Sequence, residues 1–116
     1  MTTFPQTSEE LLSIINNTKC LVLKFSASWC GPCKNKEFLK SYHNLKDKYK
    51  TNSDVVFLEF DVDDNEQFVN DDQFSFNISS IPTIKIYHKG KQLNQYQGTG
   101  QLEKVNTDIQ TILQHL

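Results

Sequence analysis

The stretch that decides the fold is residues 29–33, Trp29-Cys30-Gly31-Pro32-Cys33. It follows an apolar run over residues 20–27, which predicts a strand buried on both faces. A helical pattern begins just after it, and the ring of Pro32 fits the first turn of a helix. A Cys-x-x-Cys segment between a strand and a helix places the first sulfur at a positive helix end, which favours the thiolate. The sequence therefore predicts redox chemistry as well as a fold.

Length and composition predict one ordinary globular domain over residues 1–116. The net charge of −2 gives no reason to expect nucleic acid or an anionic membrane as a partner, and no apolar run has the length of a membrane span. Three cysteines, only two of them neighbours, suit a reducing compartment with a working dithiol. The first residues have no signal-peptide pattern, so we expect a cytoplasmic protein.

The order of patterns along the chain is helix, strand, helix, strand, helix, strand, strand, helix. A second buried strand is expected over residues 55–60, and a half-buried strand over residues 84–87. A further short strand around Thr3 and Phe4 is an open alternative. Strand–helix–strand alternation favours parallel pairing, and the last two strands favour an antiparallel edge. We therefore predict an α/β fold with a central mixed sheet of four to five strands and helices on both faces.

The two thiols have distinct expected roles. Cys30, at the exposed start of the helix, attacks a substrate disulfide, and Cys33, further in, resolves the mixed disulfide at a high effective concentration. Gly31 allows a tight turn and a close approach of the substrate, while Pro32 stiffens the loop. The alternatives are a zinc site, for which the other cysteine and the histidines show no ligand spacing, and an inert pair of core cysteines.

Several motifs in order resemble the thioredoxin family, especially its eukaryotic cytosolic branch. They are the segment Phe25-Ser26-Ala27-Ser28-Trp29-Cys30-Gly31-Pro32-Cys33-Lys34, the strand and acidic turn over residues 57–64, the element Ile81-Pro82-Thr83, and the glycines Gly90 and Gly98. The resemblance implies a thioredoxin fold and reduction of protein disulfides. It also implies a monomer without a bound cofactor or metal, recharged by an NADPH-dependent thioredoxin reductase.

The resemblance further implies a cis peptide before Pro82, placed against the dithiol. The backbone of Ile81 would pair with an extended substrate. Trp29, Ile81, Pro82 and Gly98 would form a shallow apolar docking surface, with Thr83 completing the proline element. The indole N–H of Trp29 would find a partner in Asp63. The alternatives are that Trp29 is a core aromatic residue and that Pro82 lies in an ordinary trans turn.

Lys24 departs from the family pattern, which has a buried aspartate at this position. Burial of a lysine is costly unless it is neutralised or paired. Glu59 lies on the neighbouring strand, so we hypothesise a charge-reversed pair in which Glu59, or neutral Lys24, serves the proton role. A charged Lys24 would instead stabilise the thiolates and make the disulfide more oxidising. The alternative is that Lys24 extends to the surface without a catalytic role.

Two other features carry smaller expectations. The segment over residues 65–80 is longer than is usual in the family, and its three phenylalanines either pack or form a partner surface. Cys20 is expected to be a small buried hydrophobic residue. The competing function is a thioredoxin-like interaction module or chaperone subunit with little turnover, and an oxidant or isomerase would require export.

Overall fold

A computed structural model describes residues 3–116. Four strands form one sheet in the order β2-β1-β3-β4. β1 pairs with β2 in parallel and with β3 antiparallel, and β3 pairs antiparallel with β4. The strands are β1 (Cys20–Ser26), β2 (Val55–Asp61), β3 (Thr83–His88) and β4 (Lys91–Gln97). The prediction of a mixed sheet is confirmed, with four strands, because Thr3 and Phe4 belong to no strand.

The helices follow the predicted order. They are α1 (Ser8–Asn17), α2 (Lys36–Tyr49), the single turn α3 (Glu66–Val69) and α4 (Leu102–His115), with 3-10 turns at Pro32–Lys34 and Asp72–Phe74. The hydroxyl of Thr7 caps α1 by accepting from the N–H of Glu10 at 3.1 Å. The side chain of Asn35 caps α2 by accepting from the N–H of Phe38 at 2.9 Å. Each cap fixes the residue at which its helix begins.

The two faces of the sheet bury separate clusters. One face packs against α2 and α4 through residues that include Val22, Ile86, Tyr42 and Ile109. The other packs against α1, α3 and the segment after α3. Helices therefore cover both faces, as predicted.

The segment over residues 65–80 contributes to that second cluster. Phe68 and Phe76 are each 1% exposed, and the ring of Phe76 lies 5.0 Å from that of Phe25. The half-buried ring of Phe74 stacks on Phe76 at 5.3 Å between centroids. Of the two alternatives for these phenylalanines, the structure shows packing.

Burial differs from expectation in two strands. β2 lies at the edge of the sheet and is only partly buried, with Glu59 exposed. β3 is buried on both faces rather than half-buried, because β1 and β4 flank it and helices cover it. Lys85, expected on the solvent side, is therefore only 3% exposed.

Candidate active site

Cys30 and Cys33 are joined by a disulfide, with 5.3 Å between their Cα atoms. This spacing is within the ordinary range of about 4.4–6.8 Å for a disulfide. The pair follows the carboxyl end of β1, with Cys33 inside the 3-10 turn. The backbone N–H of Cys33 donates to the Sγ of Cys30 at 3.2 Å. This donor favours negative charge on the first sulfur when the bond is reduced.

The helix at the dithiol differs from the expected one. The two cysteines precede and occupy a one-turn 3-10 helix, and the long helix α2 begins three residues after Cys33. Asn35 separates the two elements because its side chain caps α2. The positive environment of the Cys30 sulfur therefore comes from the nearest N–H of the short turn.

Cys30 is also less exposed than expected. The residue is 4% exposed and Cys33 is 6% exposed. Ala27 is buried with them, and Val62 and Ile81 pack against the cluster. Ala27 follows β1, Val62 follows β2 and Ile81 precedes β3, and these three side chains close around the disulfide. The expectation of an exposed Cys30 is wrong for this oxidised form.

Gly31 and Pro32 contribute differently to the turn. Gly31 has φ −58° and ψ −55°, which any residue adopts, so the turn itself does not require glycine. No atom lies within 4 Å of the position that a Cβ would take. That open space is compatible with a close approach by another chain. Pro32 occupies the first position of the 3-10 turn, as predicted.

Trp29 is a surface residue next to the disulfide. It is 67% exposed, so the alternative of a core aromatic residue is wrong. Its Nε1–H donates to the Oδ2 of Asp63 at 2.7 Å, which is the contact implied by the resemblance. The hydrogen bond holds the ring while leaving most of it in solvent.

The Ile81–Pro82 peptide is cis, so the alternative of a trans turn is wrong. The carbonyl oxygen of Ile81 lies 3.8 Å from the Sγ of Cys30. Pro82 is itself buried, and Thr83 is 1% exposed and donates its hydroxyl to the carbonyl of Ser80 at 2.6 Å. Of the expected docking surface, Trp29 and Gly98 are exposed and Ile81 is half-buried.

Gly98 is tied directly to the proline element. Its N–H donates to the carbonyl of Pro82 at 2.9 Å. Its φ is +88°, a conformation that favours glycine over any residue with a Cβ. The end of β4 is thereby fixed beside the loop that approaches the disulfide.

Lys24 forms the hypothesised ion pair. Its side chain is 6% exposed, and its Nζ lies 2.9 Å from the Oε1 of Glu59. Glu59 binds a second cation, with its Oε2 2.7 Å from the Nζ of Lys46 on α2. Because the Lys24 ammonium is enclosed and paired, the alternative of a lysine extending into solvent is wrong.

The charges around Glu59 set its ionisation. Burial by itself would raise the pKa of Glu59, but hydrogen bonds from Lys24 and Lys46, together with their charges, outweigh burial and lower the pKa. Glu59 is therefore ionised at neutral pH. A carboxylate with a lowered pKa is a weak base, which argues against Glu59 as the proton acceptor of the resolving thiol.

Sequence analysis did not anticipate the remaining members of this cluster. The Lys24 Nζ lies 4.4 Å from the ring centroid of Tyr42 and 5.6 Å from that of Phe38. The hydroxyl of Tyr42 is buried and has no hydrogen-bond partner within the described part of the chain. Burial and the Glu59 charge raise the pKa of Tyr42. The four-residue spacing of Tyr42 and Lys46 could have indicated that both share one helix face with Lys24 below it.

Cys20 stands apart from this chemistry. It is 0% exposed and carries a free thiol, as expected of a small buried residue. Burial, and next the charge of Asp108, raise its pKa to about 12.

A groove of about 370 Å³ lies between Trp29, the segment after β2 and the residues before the cis proline. Its lining residues are Trp29, Val62, Asp63, Glu66, Val69, Asn70, Ile78, Ser79, Ser80 and Ile81. Within residues 3–116 no group of three or more potential metal ligands comes together. No helix of the described chain is long and apolar enough to cross a membrane.

Together, the α/β fold and a Cys-x-x-Cys disulfide beside a cis-proline loop define a thiol–disulfide oxidoreductase. The chain belongs to the thioredoxin family, whose "Thioredoxin" model matches residues 2–111. Thioredoxin from Mus musculus is 41% identical over 92 residues, which are 78% of this chain and 77% of the mouse protein.

Solved structures agree with this assignment. Oxidised thioredoxin from Plasmodium falciparum is 28% identical with a TM-score of 0.69, covering 89% of this chain and 92% of its own. Oxidised mitochondrial thioredoxin 3 from Saccharomyces cerevisiae is 27% identical with a TM-score of 0.70, and the match covers 86% and 88% of the two chains. The fold and the dithiol–disulfide exchange chemistry are therefore those of this family.

Proposed function

We propose that this protein is a protein-disulfide reductase that is recharged by an NADPH-dependent thioredoxin reductase. The observation that supports this most directly is the Cys30–Cys33 disulfide itself, with a backbone N–H on the Cys30 sulfur. The neighbouring Trp29 and Ile81 offer a place for a second polypeptide. We expect the protein to act as a cytoplasmic monomer on disulfide-containing proteins, without nucleic acid, membrane, metal or bound cofactor.

The exchange proceeds in two displacements. The Cys30 thiolate attacks one sulfur of the substrate disulfide, so a mixed disulfide forms and the other substrate sulfur leaves as a thiolate. The Cys33 thiolate then attacks the Cys30 sulfur, and the second substrate thiolate leaves. The substrate has gained two electrons and this protein is left as the disulfide. The reductase returns two electrons from NADPH and restores the dithiol.

The substrate strand is proposed to lie along Ile81. The carbonyl oxygen of Ile81 is 3.8 Å from the Cys30 sulfur. A substrate chain paired with the Ile81 backbone would therefore carry its own cysteine to that sulfur. Thr83 and Gly98 support the loop by their hydrogen bonds to Ser80 and to Pro82. Trp29, held by Asp63, would cover one side of the bound chain.

Lys24 is proposed as a positioning residue that tunes the redox potential. Lys24 lies two residues before the carboxyl end of β1, the strand that leads to the dithiol, and its paired ammonium lies against the rings of Phe38 and Tyr42 on α2. A positive charge there would stabilise the thiolates more than the neutral disulfide, so it would raise the reduction potential. Glu59 pairs with the ammonium and holds it in place.

The test of the reductase function supplies NADPH, a thioredoxin reductase and a protein disulfide. The wild-type protein should turn over, Cys30→Ser should be inactive, and Cys33→Ser should accumulate mixed disulfides with the substrate. Equal activity of all three proteins would exclude the proposed function and favour an interaction module that uses its groove without turnover.

The test of Lys24 compares Lys24→Met with Lys85→Met, which removes the other buried lysine. We expect Lys24→Met to lower the reduction potential by about 10–30 mV, which corresponds to about 0.5–1.4 kcal/mol for a two-electron couple. Lys85→Met should leave the potential unchanged. Equal potentials and pH–rate profiles for Lys24→Met and the wild type would exclude a redox role of Lys24.

A further inference from the structure

The groove beside Trp29 lies next to the redox disulfide. Val62 and Ile81 line the groove, and the same two side chains pack against the buried cluster that contains Cys30 and Cys33. A side chain seated in the groove would therefore belong to the polypeptide whose cysteine meets the Cys30 sulfur. At about 370 Å³, the groove is at the lower end of the usual range for ligand pockets, about 300–1,000 Å³.

Aliphatic side chains, here called the floor of the groove, and one aromatic wall line it together with polar residues. Val62, Val69, Ile78 and Ile81 are all half-buried and supply aliphatic surface. Trp29 presents a ring that is 67% exposed and held by its bond to Asp63. An occupant with a long aliphatic stem and a flat, cationic end fits such surroundings, because the stem packs on the floor and the cation lies against the indole.

The charges at the groove have one sign. Asp63 and Glu66 line it, and no lysine, arginine or histidine occurs between residues 51 and 84. Asp63 uses one carboxylate oxygen, Oδ2, for the Trp29 indole. Glu66 forms no side-chain hydrogen bond or ion pair with any of residues 3–116. Two carboxylates, one of which already binds the Trp29 indole through Oδ2, therefore line the groove together with its aliphatic side chains.

We infer that the groove selects substrates that carry an arginine close to their reactive disulfide. This inference rests on the proposed reductase function and names the substrate class of that site. Arginine fits better than lysine because its planar guanidinium pairs with carboxylates in a fork and also stacks on an aromatic face. A glutamate at the same substrate position faces Asp63 and Glu66 and is disfavoured.

The experiment uses the full-length protein in its reduced form and short peptides with one cysteine capped as a disulfide by 2-mercaptoethanol. The peptides carry arginine, glutamine or glutamate either two residues before or two residues after the cysteine. Residues two apart in a strand point to the same side, so one of the two placements reaches the groove. The rate constant of reduction is measured in single turnover at low ionic strength.

For one placement, we expect arginine to be reduced about five- to tenfold faster than glutamine, and glutamate to be slowest. High salt should reduce this preference. Glu66→Gln should lower the arginine-to-glutamine ratio about two- to threefold, whereas the matched variant Glu103→Gln, an exposed carboxylate on α4 outside the groove, should retain it.

Equal rates for all peptides would overturn the arginine preference while leaving the reductase function intact. So would an equal decrease of the ratio in Glu66→Gln and Glu103→Gln, which would indicate a response to net charge only. Failure to reduce any of the peptides would instead count against the reductase function itself.

Discussion

The sheet buries one lysine on each face, and the two are accommodated in different ways. Lys24 on β1 points to the α2 side, while Lys85 on β3 is paired in register with Leu23 and shares the opposite face. Lys24 forms an ion pair with Glu59 at 2.9 Å. Within the described chain, the Nζ of Lys85 contacts no carboxylate and donates to the amide oxygen of Gln92 at 3.3 Å.

The difference lies in how well each buried lysine is compensated for its lost hydration. Burial lowers the pKa of Lys85, because a neutral amide compensates little of the lost hydration. At Lys24, a carboxylate and the faces of two aromatic rings surround the ammonium. Four sets of variants break or sharpen this comparison.

Removing the carboxylate should have the largest effect. Glu59→Ala leaves the Lys24 ammonium buried without a partner, and we expect a loss of about 2–3 kcal/mol in the free energy of unfolding. This is less than the 3–5 kcal/mol typical of a fully buried pair, because the Glu59 side chain is 41% exposed. Urea unfolding of the oxidised protein measures the change. The double variant Lys24→Met/Glu59→Ala should recover most of the loss, and a loss below about 0.5 kcal/mol in the single variant would contradict the prediction.

At Lys85, we expect a substitution to increase the free energy of unfolding. Lys85→Met replaces a poorly compensated ammonium with an apolar chain of similar shape and should stabilise the fold by about 1 kcal/mol at neutral pH. The pKa of Lys85 in the folded protein lies below the value of 10.5 in the unfolded chain. At pH values between these two, the unfolded chain binds more protons than the folded one, so the stability of the wild type rises with pH in that range. The advantage of the variant should therefore shrink as the pH approaches 10.5. A destabilised variant at pH 7 would show that the Gln92 hydrogen bond outweighs desolvation.

A smaller change compares one tyrosine from each face. Tyr42→Phe removes a buried hydroxyl without a partner and keeps the ring below Lys24, so a gain of about 0.5–1 kcal/mol is expected. Tyr87→Phe removes a hydroxyl that donates to Gln92 at 3.3 Å and should instead lose a similar amount. Thermal unfolding of both variants checks the signs. Destabilisation of Tyr42→Phe by as much as Tyr87→Phe would mean that water satisfies the Tyr42 hydroxyl.

The smallest expected effect is the loss of stability at low pH that results from protonation of Glu59. The lowered pKa of Glu59 contributes stability that is fully present above its unfolded value of about 4.5 and is lost as the pH falls through the folded value. The contribution should be below about 1 kcal/mol, since the group is partly exposed. Lys24→Met/Glu59→Gln should lack this component, so its stability difference from the wild type should change between pH 6 and pH 3. A constant difference would show that Glu59 titrates normally.

Most of the fold could be predicted from the sequence, because local patterns indicate which segments are buried and where the chain turns. The apolar runs over residues 20–27 and 55–60 placed β1 and β2 correctly. Burial of β3 was missed because Lys85 and Tyr87 are polar in sequence, and alternation cannot show that an amide from β4 will meet them. Long side chains with a polar end lie in cores when a partner is supplied from another strand.

The sequence predicted which residues form the site better than it predicted how exposed they are. The Lys24–Glu59 pair was correct because the two residues lie on neighbouring strands, whereas the Trp29–Asp63 contact was correct as an implication of the family resemblance. The enclosure of Cys30 depends on Val62 and Ile81, which arrive from other parts of the chain, so a local motif could not reveal it. Lys46 was missed for the same reason, since it meets Glu59 only through the packing of α2 on the sheet.

The buried free thiol of Cys20 can serve as a natural probe of unfolding. A thiol-alkylating reagent added to the reduced protein reaches this third thiol, which is completely covered and has a pKa of about 12, only in molecules that have come apart. The rate at which a third label appears therefore measures rare excursions from the native state under ordinary buffer conditions, without denaturant and without any engineered probe.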